Sequence, residues 1–252
     1  MLSSITTQRN GHGNQLLDAL PRAQRERILS NAQRLRLGVR TVLFEPGQTI
    51  SNVYFPLDVV ISLVTPLQDG AIVEVATVGN EGVVGVPLVP GGSLAVRAIA
   101  QVAGHSLRMS ASDFLAATNE HDIFEELVRR YVQAFVGQVA QAAACNRLHS
   151  NEERLSRWLL MSHDRVGVDE FAITHEFLGQ MLGSRRATVT LSAGILQAAG
   201  LIRYQRGEIT ILDRAGLEAV ACECYGVIKA ELDQVITRTR EAPLDDRTPA
   251  HV

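Results

Sequence analysis

The sequence predicts an α+β chain in three successive parts: a sandwich or barrel of short strands, one long helix, and a compact helical unit with a hairpin. Three observations carry this. Between Arg40 and Met109, short β-branched runs ("TVLF", "NVYFP", "VVISLVTP", "AIVEVATV", "LAVRAIAQVAG") alternate with turn signals ("EPGQ", "LQDG", "GNEG", "VPGG"), the texture of an all-β module. Roughly Ile123 to Asn146 repeats apolar residues by four and three. From Ile173 onward, "ITHEFLGQMLGSRRATVT" reads as two short helices around a glycine turn.

Composition fits this outline. Of 252 residues, 46% are hydrophobic, enough for a sizeable core and unlike a disordered chain. No apolar run approaches the roughly 20 residues that a membrane span needs. The leader "MLSSITTQRNGHGNQ" has no apolar stretch behind a basic start, so it does not read as a secretory signal. An odd set of three cysteines, Cys145, Cys222 and Cys224, lacks framework spacing and points to a reducing, cytoplasmic setting. The formal net charge of −3 argues against a generic polyanion binder, but its distribution matters more. From Phe177 to Gly207 the charged residues are Arg185, Arg186, Arg203 and Arg206 alone, a local window of one sign.

In chain order, residues 1–15 read as a disordered leader and Pro21 to Leu35 as a short helix with Ile28 and Leu35 on one side. Ser110 caps a helix over "ASDFLAAT". In the long helix, Phe124, Val128, Tyr131, Phe135, Gln138, Ala142 and Cys145 form a heptad seam. The alternative is an ordinary amphipathic helix packed on its own domain. A second copy of the chain is the reading taken, because a closed β-module leaves such a helix little to cover; Phe124, Val128, Tyr131, Phe135 and Ala142 are the dimerisation residues on that reading. Ser150 and Glu153 make a capping box, with Leu155, Trp158 and Leu159 facing inward. "DRVGVDE" is a loop. After Asp213, "RAGLEAVACECYGVIKAELDQVI" is one final amphipathic helix. The tail "EAPLDDRTPAHV" is expected to be disordered.

In the helix–turn–helix stretch, Thr174 is an N-cap, Gly183 suits the left-handed turn, and Ser184 caps a second helix ended by Gly200. Val189, Ile195 and Leu196 have core spacing. Arg185, Arg186, Thr188 and Thr190 then lie where base edges and phosphates would be, since the start of the second helix of such a unit enters the major groove. "LIRYQRGEITILD" reads as a hairpin, or wing, whose Arg203 and Arg206 could touch phosphate. The alternatives are a helical hairpin with solvated arginines, or a signalling module whose helix–turn–helix binds protein. An enzymatic, metal-bearing barrel is disfavoured: His105 is the only histidine between Arg40 and Met109, so ligands do not cluster. Glu81 and His105 read as surface or turn residues. Cys222 and Cys224, one residue apart on a helix, would point in different directions, so no metal site is expected.

The order of parts resembles the Crp/Fnr family of bacterial transcription factors, from roughly Leu16 to Asp213. "ITHEFLGQMLGSRRATVTLSAGILQAAGLI" looks like that family's helix–turn–helix line, "RLHSNEERLSRWLL" its link from the long helix, and "FEPGQTISNVYFP" an early hairpin of its β-roll. The resemblance implies a β-roll sensor of cyclic-nucleotide-binding-like jelly-roll type at 16–120, a dimerisation helix at 121–146, a winged helix-turn-helix at 147–213, a C-terminal helix at 214–240 and a tail at 241–252. It implies a non-enzymatic homodimer acting on double-stranded DNA, with RNA polymerase as a further partner and Arg186 as base reader. Departures are visible too. Where cyclic-nucleotide binders carry a ribose-holding glutamate and a phosphate-holding arginine with a hydroxyl, this chain has Val83 and Leu94-Ala95, with Arg97 nearby. Glu81, Val83, Leu94 and Arg97 mark the effector pocket, and cyclic AMP is not expected as its ligand. Family iron–sulfur members use cysteines mostly near the N-terminus; none occurs here before Cys145, and no cofactor is indicated. Ala187 and Leu191 replace frequent acidic and basic residues of the recognition helix, so the DNA preference should differ.

Overall fold

The computed structural model describes residues 13–241, apart from Leu88 and His121. Two short helices, α1 (Gln15–Asp18) and α2 (Arg22–Ser30), lead into strands β1 (Ala32–Leu37), β2 (Val42–Phe44), β3 (Asn52–Pro56), β4 (Val60–Pro66), β5 (Ile72–Val78), β6 (Arg97–Val102) and β7 (Gly104–Ser110). Then follow α3 (Ala111–Thr118), the long α4 (Ile123–Leu148), α5 (Asn151–Val166), β8 (Glu170–Ala172), α6 (His175–Met181), α7 (Arg186–Ala198), β9 (Ile202–Gln205), β10 (Glu208–Ile211), α8 (Arg214–Val220) and α9 (Cys224–Glu241).

The β-module is two antiparallel sheets, ordered β1-β7-β3 and β2-β6-β4-β5, closed over a core that includes Leu37, Phe44, Ile50, Tyr54, Ile61, Leu63, Val78 and Val84. The expected helix over 21–35 is split: its second half is strand β1, with Leu35 opposite Ser106 of β7, because strand pairing with β7 outweighs a weak local helix preference. Of the expected leader, residues 1–12 lie outside the described residues, but Asn14 and Gln15 are built into the fold. Buried Asn14 donates to the Pro56 and Gly82 carbonyls at 3.0 and 2.8 Å, and its side-chain oxygen accepts from the Leu17 amide.

Helix α4 starts where Asp122 accepts from the Phe124 and Glu125 amides, with Glu125 and Glu126 in the first turn and Arg147 in the last, all matching the helix dipole. The dimer seam expected on this helix is not a free surface. Phe124, Val128, Tyr131, Gln138, Ala142 and Cys145 are buried within the single chain, and Phe135 is half-buried against the same core. What covers them is α9, running back along α4 with Ile228, Leu232 and Val235, together with the β-roll. Tyr131 approaches the 79–84 turn so closely that a Cβ on Gly82 would sit 2.8 Å from its ring. Each large apolar side chain so buried contributes roughly 1.5–3 kcal/mol, so the seam is satisfied at home. The sequence reading failed on the C-terminus: a helix that far along the chain was not expected to return.

That C-terminus is two helices, not one. Helix α8 ends at Val220, and Ala221 adopts an extended conformation (φ −64°, ψ 146°); α9 begins only at Cys224. Cys222 and Cys224 therefore do not share a helix, and both thiols turn inward beside Cys145, contrary to the divergence expected of them.

Candidate nucleic-acid interface

Helix α5 begins with the expected capping box, Ser150 and Glu153 each holding the other's amide at 3.3 and 2.7 Å, and ends on left-handed Gly167. Its inner face, Leu155, Trp158 and Leu159, builds a core with Leu178, Val189, Leu196, Ile202, Ile209 and Leu217. On this base stand α6 and α7. Thr174 caps α6 through the Phe177 amide at 3.2 Å. The turn follows at Gly183, φ 57°, a region that favours glycine. Gly179 lets the helices approach: a Cβ there would lie 2.9 Å from the Ser184 carbonyl oxygen.

Two details of α7 differ from expectation. Arg185, not Ser184, is the N-cap residue, with no side-chain cap bond; Ser184 instead donates to Asn151 Oδ1 of α5 at 2.6 Å. Ile195 is 48% exposed, while Val189, Ser192, Ala193 and Leu196 face the core. Val189 and Leu196 are thus buried as expected and Ile195 alone faces outward, while buried Ser192 donates to Glu152 at 2.6 Å.

The outward surface is the part that matters chemically. Arg185, Arg186, Thr190, Arg203 and Arg206 are all exposed and Thr188 is half-buried. Arg185 and Arg186 stand at the free amide end of α7, where helix dipole and unpaired N–H groups favour an anion. The wing is a three-stranded sheet, β8-β10-β9. Its tip is Arg206-Gly207, both at positive φ (53° and 84°), the two-residue turn that matches strand twist. Arg203 reaches Thr210 at 3.4 Å, and Thr210 reaches Glu170 at 3.3 Å, so Arg203 shares its field with a carboxylate while Arg206 projects from the tip.

Sequence reasoning missed His175, Tyr204 and Gln197. The His175 ring stacks on Tyr204 with centroids 3.9 Å apart, and its Nδ1 lies 2.9 Å from the Thr190 hydroxyl. Burial, with the nearby Arg186 charge, pushes the imidazole pKa down, favouring the neutral ring. Gln197 accepts from the Tyr204 amide at 2.8 Å. These contacts fix the wing against the recognition helix. They join residues 7 to 29 positions apart, and no helical or strand period foretells them.

The residues expected to form an effector pocket do not converge. Glu81 pairs with Arg165 of α5 at 2.8 Å. Val83 is buried in the core shared with α4, and Leu94 packs on the separate core of the β-roll. Arg97 is bound to Glu45 at 2.8 Å.

Residues 153–220 match the family model of the Crp-like helix-turn-helix domain, and the order of β-roll, long helix and winged helix-turn-helix gives the chain the fold of the solved structures that follow. Among solved structures, the chain is similar to FixK2 from Bradyrhizobium japonicum (TM-score 0.66, 16% identity, 76% of this chain and 98% of that one). It is also similar to a Crp/Fnr-family regulator from Eubacterium rectale (TM-score 0.63, 18% identity, 81% and 96%). A third is the c-di-GMP-responsive regulator CLP of Xanthomonas campestris (TM-score 0.62, 16% identity, 76% and 99%). No curated protein matches the sequence. Among the described residues, no helix is long and apolar enough to cross a membrane.

Proposed function

We propose that this chain is a sequence-specific, double-stranded-DNA-binding transcription regulator that acts in the cytoplasm as a homodimer and carries no enzymatic activity. The observation that carries the reading is the exposed amide end of α7 with Arg185 and Arg186 on it and the Arg206 wing tip beside it, on a domain that matches a Crp-like helix-turn-helix. Major-groove entry by α7 puts Arg186 at base edges and leaves phosphates to Arg185, Thr174, Ser184 and the wing. Selection from random duplex DNA, followed by titration of the recovered site at several salt concentrations, tests it. Binding that falls steeply with salt and prefers the recovered site over scrambled DNA is expected; equal affinity for all sequences would defeat the reading.

The dimer surface is assigned here to the outward stripe of α4. Val136 is 61% exposed there, with half-buried Val132 one turn before it and exposed Ala140, Ala143 and Ala144 after it, small enough for two helices to approach closely. Pairing along this stripe would set two recognition helices about 34 Å apart on a near-palindrome. Val136→Glu with Ala140→Glu is expected to give a folded monomer in sedimentation. A double variant that still sediments as a dimer would remove this stripe from the interface.

Cyclic AMP is not the physiological ligand on this reading. A buried cyclic phosphate needs a paired cation; Val83 and Leu94-Ala95 supply none, and Arg97 is engaged by Glu45. Titration calorimetry with cyclic AMP and cyclic GMP should show no saturable heat at micromolar concentration. A one-per-chain isotherm lost on Arg97→Ala would reverse the assignment.

A further inference from the structure

Cys145, His149, Cys222 and Cys224 each bring one donor atom into a group whose members all lie within 4.8 Å of one another. Residues from three places build it: the last turn of α4, the extended residue that ends α4, and the break between α8 and α9. We propose that these four residues bind one zinc ion in a closed Cys3His site, which fastens the C-terminal helix to the junction between sensor and DNA-binding domain.

The distances suit a single tetrahedral ion. Zinc–sulfur and zinc–nitrogen bonds of about 2.3 and 2.0–2.1 Å give tetrahedral edges of about 3.8 Å between sulfurs and about 3.6 Å from sulfur to nitrogen. Cys145 Sγ to Cys222 Sγ is 3.6 Å, and Cys224 Sγ to His149 Nδ1 is 3.4 Å. The sulfur pair is far too long for a disulfide bond of about 2.05 Å. The group is also too tight for an iron–sulfur cluster, whose cysteines ligate different irons around inorganic sulfide.

The surroundings are those of a metal site as well. With His149 Nδ1 turned to the sulfurs, Nε2 faces the Glu223 carboxylate at 3.3 Å, the outer partner that fixes a ligating imidazole. The Gln141 amide donates to Cys224 Sγ at 3.0 Å. Three thiolates and a divalent ion leave one negative charge. Buried Arg154 and Arg157 lie within electrostatic reach of the cysteines, each with an Nε lacking a hydrogen-bond partner. The three cysteines are buried, so no open coordination position faces solvent and the site is structural rather than catalytic.

The full-length protein, purified without added metal, should contain about one zinc ion per chain by plasma mass spectrometry. Replacement by cobalt(II) should give the visible bands of tetrahedral cobalt with thiolate charge transfer in the near ultraviolet. Cys222→Ser and His149→Ala should lower zinc to less than roughly one tenth of an ion, whereas His149→Cys, which restores a fourth ligand, should keep it. The proposal is overturned if purified protein holds no zinc and gives no tetrahedral cobalt spectrum. It is equally overturned if zinc content is unchanged in Cys222→Ser, or if the absorbance is that of an iron–sulfur cluster. Should the variants fail to fold, the cobalt spectrum of the parent chain decides alone.

Discussion

Arg165→Met is expected to lower the stability of the full chain by about 3–5 kcal/mol. The Arg165 side chain is only 6% exposed and meets Glu81 at 2.8 Å. It also donates to the Met161 carbonyl at 2.8 Å and the Thr77 carbonyl at 3.0 Å. Truncation would strand a carboxylate that is 15% exposed and take one donor each from the Met161 carbonyl and from the Thr77 carbonyl, which keeps the Gln138 amide at 2.9 Å. Removing both charges in Arg165→Met with Glu81→Gln should restore part of the loss, because no unpaired charge is then buried. Urea unfolding can be followed by Trp158, the single tryptophan, whose indole donates to Glu74 at 3.0 Å across the same interface. A shift below about 1 kcal/mol for Arg165→Met would show that the pair is solvated and worth no more than a surface bridge.

Arg186→Ala should weaken binding to the selected DNA site by about 1–3 kcal/mol, or roughly 5- to 150-fold, and relax base choice at one position. Arg185→Ala should act differently. As a phosphate contact it would weaken all sequences alike and reduce the salt slope by about one. Both side chains are exposed and stand clear of the packed face of α7, so neither change should alter the fold. Fluorescence anisotropy with the selected site and single-base variants, at several salt concentrations, separates the two roles. Unchanged affinity of the Arg186 variant would take that residue out of base reading.

Much of the architecture was written locally. The Ser110, Ser150 and Thr174 caps, the left-handed Gly183 and Gly200, and the Arg206-Gly207 turn are short-range signals, and each stands where the sequence puts it. Failures came where distant segments decide. Leu35 has the spacing of a helix until β7 pairs with it. The heptad on α4 is real, but a heptad shows that one face is covered without saying by what; here α9 of the same chain covers it. Ile195 and Leu196 are adjacent apolar residues, and only the direction of the neighbouring core tells which is buried. The cysteine group was hidden by a wrong local premise, one continuous helix through Cys222 and Cys224, where the backbone breaks at Ala221. The arginine cluster of the second helix was legible because it needs only a charge run and a helix start.

The return of α9 has a consequence for how the chain is born. The core beneath α4 begins with Leu16 and Leu17 and is finished by Ile228, Leu232 and Val235, so its first and last pieces are more than two hundred residues apart in synthesis. A ribosome making roughly 5–20 residues per second exposes the apolar back of α4 for many seconds before its cover emerges. A stop codon before Cys224 would therefore not merely trim an end; it would leave the amino-terminal half sticky and unfinished, while the helix–turn–helix, whose fully buried residues end at Leu217, would lose from its core the partly buried Tyr225 packed against it.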